Sequence, residues 1–213
     1  MIQYVYNKNK GEIEMGLDMF LFKVEKQPNK SLNDILSMQQ KLNECELSVE
    51  EMKNNKDFKD SLSHIIKKSI GDFSYYTFLS EMVYWRKANA IHNWFVNNVQ
   101  NYDDDCGYYK VHLQDLENLL DTLQTVHDSI KNKKLVDEYC KDSNGETYSI
   151  KVFLKDDTKI AEELLPTQEG FFFGSTKYGE QYLKEIEYTI KEIKNLIENF
   201  DFNNNYLVYN SSW

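Results

Sequence analysis

"SYYTFLSEMVYWRKANAIHNWFVNNVQ", Ser74–Gln100, carries the strongest apolar periodicity in a chain of 213 residues. Tyr84, Ala88, Ile91, Phe95 and Val99 recur at three- and four-residue steps, which places them on one face of an α-helix. The spacing therefore predicts one long helix over 74–100. It sets the expected fold class: α+β, a mainly α-helical single domain with a small antiparallel sheet.

The same helix would nominate a site. Trp85, Asn89 and His92 fall at i, i+4 and i+7, and Arg86, Asn89 and Asn93 form the adjacent row. Arg86 is the only arginine in the chain, whose other fixed positive side chains are all lysine. A lone guanidinium suggests a need for its fork geometry, either against a phosphate or carboxylate or in an internal bridge to Asp18 or to Asp103–Asp105. Indole for stacking, carboxamide for an amide or base edge and guanidinium for an anion together make a ligand-reading set. The residues expected to bind are Trp85, Arg86, Lys87, Asn89, His92, Tyr108, Ser175 and Thr176.

Working outward, "GLDMFLFKVE" (Gly16–Glu25) alternates as a strand. Leu17, Met19 and Leu21 take one side, and Asp18, Phe20 and Phe22 the other. Ser31–Ile70 reads as two or three amphipathic helices opening at the cap-like "SLND", and "GDF" (Gly71–Phe73) breaks the pattern. "NYDDDCG" (Asn101–Gly107) is a turn, and "YYKV" (Tyr108–Val111) a short strand. Leu113–Ile130 is a helix with Leu116, Leu119, Leu120, Leu123 and Val126 as its stripe. Lys133–Leu154 reads as a hairpin turning at Asn144-Gly145. A short helix over Thr158–Leu165 precedes Pro166, "TQEGFFFGST" (Thr167–Thr176) reads as a strand or hairpin, and Tyr178–Phe200 is the last long helix. An apolar tail ends at Trp213. Residues 1–14 look unlike the rest and are expected to precede a start at Met15. Residues 15–213 then form the domain, with variable insertions near 31–73 and 133–158.

Composition narrows the function classes. A formal net charge of −10 and a pI near 5.0 oppose nonspecific nucleic-acid binding, which needs lysine and arginine to neutralise phosphates. The same acidity leaves mimicry of DNA towards a DNA-binding partner open. No apolar run approaches the roughly 20 residues of a membrane span, and no signal-peptide layout opens the chain, so a cytoplasmic setting is expected. Cys45, Cys106 and Cys140 lack the spacing of a zinc cage or a disulfide framework, and no cofactor motif occurs.

Three further features carry chemistry. His92 with Cys106 or Asp105 is the catalytic alternative, with Cys106 as nucleophile and Asp104 or Asp105 as base. His92 also suits a plain packing role, and "DDDC" a plain turn. Gly174, Ser175 and Thr176 before a helix suit a cap or an anion cradle, without P-loop spacing.

The stretches "MGLDMFLFK" (from Met15), "VYWRKANAIHNWFVNNVQ", "DDCGYYKV", "LPTQEGFFFGSTKY", "IEYTI" and the terminal "SSW" resemble an uncharacterised family of small proteins from bacteriophages and low-GC Gram-positive bacteria. Leu32–Phe73 and Lys133–Thr158 lie outside the resemblance. It implies a phage-type accessory protein and the Met15 start, and carries no activity. Three functions are therefore expected, in this order: a non-catalytic binder of a small anionic, nucleotide-like ligand; a hydrolase or transferase; an acidic inhibitor that contacts a host protein.

Overall fold

The computed structural model describes residues 16–44, 48–71, 73–141 and 144–213. The proposed Met15 start, residues 1–14 and Cys45 lie outside them. In chain order the elements are β1 (Asp18–Glu25), α1 (Leu32–Glu44), α2 (Val49–Asn54), α3 (Lys56–Lys59), β2 (Ile66–Ile70), β3 (Phe73–Thr77), β4 (Leu79–Arg86) and α4 (Asn89–Asn98). There follow β5 (Tyr108–Val111), α5 (Leu113–Ile130), β6 (Leu135–Lys141), β7 (Thr147–Phe153), α6 (Lys159–Leu164), α7 (Glu180–Asn199) and β8 (Asn205–Ser212).

The expectation of a mainly helical chain is overturned: 43% of the described residues are helical and 27% lie in strands. A four-stranded antiparallel sheet, ordered β4-β1-β8-β5, forms the centre, and β2-β3 and β6-β7 are separate two-stranded sheets. Three misread segments account for the difference. The single helix expected over 74–100 is β3, β4 and then α4, the end of the stretch 31–70 expected to be helical is β2, and the apolar tail is β8.

The local reason lies in the residues. Tyr75, Tyr76, Thr77, Phe78, Val83, Tyr84 and Trp85 are aromatic or β-branched, types that fit a pleated, half-buried surface. Val83 and Trp85 are buried on one face, while Tyr84 and Arg86 point to the other. Lys87 then takes a left-handed φ of 59°, its N–H donating to Leu17 O at 2.7 Å, and this kink lets α4 start at Asn89. The four-residue step from Tyr84 to Ala88 spans that kink and is coincidental.

The central strands are covered on both sides. Leu17, Met19 and Leu21 of the β1 segment, with Trp85, Leu207 and Tyr209, pack against α4, α5 and α7. Phe20, Phe22, Val24 and Val208 pack against Ile35, Met38, Met52, Phe58 and Phe78 from the α1–β3 region. A bulge lies between Leu21 and Phe22, where the β4 register passes from Val83 to Glu81 and leaves Met82 unpaired and exposed. On the second side Gln39 ties helix to hairpin: its Oε1 accepts from Thr77 Oγ1 at 3.0 Å and from the Phe78 N–H at 2.8 Å. The α5 stripe read from the sequence is buried at Leu116, Leu119, Leu123 and Val126 and partly at Leu120, and α7 buries Ile186 and Ile193 with Leu183, Ile190 and Ile197 partly covered.

The β6-β7 pairing also follows the expected hairpin. Its inner end is held by Phe153 N donating to Tyr178 O at 2.9 Å and by a bridge between Val152 and Gly179. Gly179 lies so close that an added Cβ would sit 2.2 Å from the Lys151 carbonyl oxygen. That neighbour is backbone and cannot rotate aside. Gly179→Ala should therefore cost about 1–3 kcal/mol, the range for forcing extra volume into a packed site. Urea unfolding should show a lower midpoint with an unchanged m-value.

Candidate functional site

Strand alternation decides what the nominated residues can do together. Trp85 lies on the face that packs against α4 and α7, 3% exposed, and its indole Nε1 donates to Thr189 Oγ1 at 2.9 Å. His92 is fully buried on that same side. Arg86 and Tyr108 belong to the opposite face, where Asp18 is paired across from Arg86 and Tyr108 packs with the second core. A single hollow shared by Trp85, Arg86, His92 and Tyr108, as one helix would have made, is therefore replaced by two clusters separated by the sheet.

On the Arg86 side the internal bridge to Asp18 is present. Arg86 Nη1 lies 3.7 Å from Asp18 Oδ1, and the same oxygen accepts a very short hydrogen bond from the Tyr84 hydroxyl. Asp18 is 3% exposed, so it needs such partners to remain ionised. Burial, then the bond and charge of Asp18, push the Tyr84 hydroxyl up to about 12. Tyr108 turns its hydroxyl to Asn43, far from any shared ligand position with His92.

On the other side His92 has both ring nitrogens engaged. Nε2 faces Asp104 Oδ2 at 3.1 Å, and Nδ1 lies 2.8 Å from the Tyr209 hydroxyl. The Trp213 indole N–H donates to Asp104 Oδ1 at 3.2 Å. Burial alone would raise the Asp104 carboxyl, but the hydrogen bond and charge of His92, with the indole N–H, outweigh it and hold it below the usual carboxylate range. Tyr209, stacked on Phe95 at 4.1 Å, is pushed far up by burial and stays a phenol.

This network argues against a Cys–His catalytic pair. His92 has no nitrogen left to take a proton from Cys106. Burial foremost, and then the charges of Asp104 and Asp105, raise the Cys106 thiol against the backbone N–H of Trp213, so it is a poor nucleophile at neutral pH. Asp105 is occupied by the Gly107 N–H at 2.7 Å and the Tyr109 hydroxyl at 2.8 Å. Among the described residues no group of three or more His, Cys, Asp or Glu side chains is placed to hold a metal ion. Likewise, no helix there is long and apolar enough to cross a membrane.

The remaining nominated residues meet at one loop. Asn89 Nδ2 donates to the carbonyls of Phe173 (3.1 Å) and Ser175 (2.9 Å), and its Oδ1 accepts from the Gln168 N–H at 3.2 Å. Asn93 Nδ2 holds Pro166 O at 3.1 Å, and Thr167 Oγ1 closes the base onto Thr176 O at 3.1 Å. The strand or hairpin expected over 167–176 is in fact this closed loop, with no strand. Ser175 and Thr176 do not cap α7; Gly179 stands at its N-cap.

Gly174, at φ +94°, seats the loop against Lys87, with only 2.9 Å between an added Cβ and the Lys87 carbonyl oxygen. Phe173 points inward and meets His92 edge-on at 5.4 Å and Trp213 at 5.9 Å. Phe171 and Phe172 point out, 80% and 45% exposed, their rings 4.2 Å apart. Phe172 has φ +64°, a left-handed conformation that a bulky side chain adopts at a cost of about 1–2 kcal/mol. An open depression of about 530 Å³ lies beside it, lined by Glu169, Gly170, Phe171, Gly174 and Thr176.

The sequence had quoted this Phe run but given its weight to the helix beside it. The Tyr209–His92–Asp104–Trp213 chain was missed because the tail carrying Tyr209 and Trp213 was not read as a strand. Alternation in "YLVYN" (Tyr206–Asn210) was the available signal. Compared with family models, with curated proteins and with solved structures, the chain has no match.

The Asp104 network makes a pH prediction. A carboxyl held below its unfolded value contributes stability above that unfolded value and loses it as pH falls through the folded one. Asp104→Asn should therefore cost about 1–3 kcal/mol at pH 7, the range for a hydrogen bond to a charged group. The gap to the wild type should shrink as pH drops below about 4, the ordinary carboxylate range. Urea midpoints measured from pH 7 to pH 3 check both the sign and the window.

Proposed function

We propose that the protein is a binding module for another protein, with Phe171 and Phe172 as its contact point. The observation that carries this reading is a pair of exposed phenylalanines on a loop that is otherwise fastened at every turn. Leaving them in water forgoes about 1.5–3 kcal/mol per ring, and the left-handed Phe172 adds strain. A loop under no functional demand relaxes such a cost by turning a ring inward. Here Asn89, Asn93, Thr167 and the buried Phe173 hold it in place. A pre-ordered aromatic pair loses little side-chain freedom on docking, which is how interface anchors concentrate binding energy.

Charge indicates the partner's chemistry. Glu169 is in the loop, and Trp213, 54% exposed, links it to the acidic Asp103–Asp105 turn. The complement is an apolar socket with a basic rim, on a protein rather than on nucleic acid, given a net charge of −10. The likeness to phage accessory proteins makes a host protein the class of partner to look for. No catalytic step is part of this reading.

The test places a photo-crosslinking phenylalanine analogue at position 171, identifies the protein joined to it in cells and measures its affinity in purified form. Phe171→Asp with Phe172→Asp should melt as the wild type does, since both rings are exposed. It should bind about 100-fold more weakly, the equivalent of losing one anchor. A partner bound equally well by the double variant, or no crosslinked protein at all, would sink the proposal.

A further inference from the structure

At the opposite end of the sheet, where β1 finishes and β8 begins, a cleft of about 240 Å³ opens beside Lys26, Lys110, His112, Phe202, Asn205 and Tyr206. Its lining includes two lysines and a histidine and no acidic residue, in a chain with 35 acidic and 25 basic side chains. Lys26 directly follows β1 and Lys110 lies on β5, on either side of β8, which carries Tyr206 between them. Lys26 Nζ lies 5.2 Å from the centroid of the Tyr206 ring, and Lys110 Nζ lies 5.6 Å from the same ring.

We infer that this cleft is a binding site for the phosphate group of a small molecule, separate from the Phe171–Phe172 tip and independent of it. Two ammonium groups beside one ring make a local excess of positive charge that an anion can neutralise. The hydrogen bonds of the nearby carboxylates go to other groups, although the Asp201 charge reaches Lys26. Asp201 accepts from the N–H groups of Asn203 and Asn204 and from Asn204 Nδ2, and Asp115 accepts from the His112 N–H at 2.8 Å. Among the described residues neither lysine is in ion-pair contact with a carboxylate. Lys26 Nζ donates instead to Phe202 O at 2.8 Å, which fixes its direction, while Asp201 acts on it only through its charge.

The tyrosine contributes by position. Its ring attracts both ammonium groups, which holds the flexible lysine stems beside it before any ligand arrives. The first turn of α5 borders the rim through His112 and Leu113. Size sets the ligand class. Sites for whole drug-sized or nucleotide-sized ligands occupy about 300–1,000 Å³, and this cleft is below that range. It fits a phosphate group on a short carrier, not a full nucleotide.

Isothermal titration of the full chain at low ionic strength, with inorganic phosphate and with glycerol 3-phosphate, tests the site. The expected result is saturable binding of one anion per chain, weakened about tenfold or more in Lys26→Gln and in Lys110→Gln and restored by Lys110→Arg. Lys67→Gln, on the separate β2-β3 hairpin, should leave binding unchanged, as should the Phe171→Asp/Phe172→Asp variant. All of these changes fall on exposed side chains, and melting curves confirm that each variant is folded. Tighter binding of the ester shows that the carrier is also recognised, and equal binding shows that the phosphate group alone is; both support the site. The inference is overturned if binding does not saturate, if the double Lys26→Gln/Lys110→Gln variant binds like the wild type, or if Lys67→Gln weakens binding as much as either cleft variant.

Discussion

The central pair β1 and β8 is buried on both faces, and most of the structure follows from that. From Leu17 to Phe22 every described side chain is inaccessible, so each must belong to one core or to the other. Apolar residues satisfy this by packing. Polar ones need internal partners, because an unpaired buried carboxylate or amide costs several kcal/mol. Asp18 draws Tyr84 and Arg86 towards it, and Asn210 Nδ2 bonds the carbonyls of Cys106 and Gly107 at 2.9 and 3.0 Å. The acidic turn over 103–107 is thereby fastened to the sheet, which sets the position of Asp104 against His92 and Trp213.

Legibility in the sequence tracked how local each physical cause was. The β1 alternation, the α5 and α7 stripes and the β6-β7 pairing each depend on residues close in the chain, and each was read as it folds. The 74–100 stretch failed because two periodicities overlap there. Val83, Trp85 and the aromatic run before them follow a strand rule, and Ile91, Phe95 and their neighbours a helix rule. The joint between them is a left-handed Lys87, a residue type that gives no warning of positive φ. What settles Lys87 is Gly174, 87 positions later, pressing on its backbone. The Arg86–Asp18 bridge was among the readings open at the start, since a lone arginine and an aspartate set in an apolar strand are both conspicuous. The tip loop was visible as composition but not as shape.

Asn89 illustrates how a residue suited to ligand reading can serve the protein itself. Its carboxamide makes three hydrogen bonds to backbone groups at Phe173, Ser175 and Gln168, the contacts it would otherwise offer a bound base or amide. His92 has likewise turned both nitrogens inward. Of the polar groups that made 84–95 look like a binding helix, Asn89 and Asn93 hold 166–176 in place, and Trp85, Arg86 and His92 bond other parts of the fold. The proposed contact therefore rests on two aromatic rings of the loop and not on the polar row of α4.

The two ends of the sheet then differ in kind. At one end, aromatic rings are held out into water beside Glu169, and at the other, two lysines approach one half-buried tyrosine. β8 connects them directly, running from Tyr206 in the basic cleft to Trp213 beside the tip. Its middle residues, Leu207, Val208 and Tyr209, are 0% exposed, so the strand is a rigid strut rather than a hinge. A strut of this kind transmits no large motion between its ends. Two sites joined by it are coupled only if binding at one alters how tightly β8 is held, and Tyr209, bonded to His92 and stacked on Phe95, resists that. The core packed around β8 thus lets an acidic chain hold lysines together at one end of the sheet and exposed apolar rings at the other.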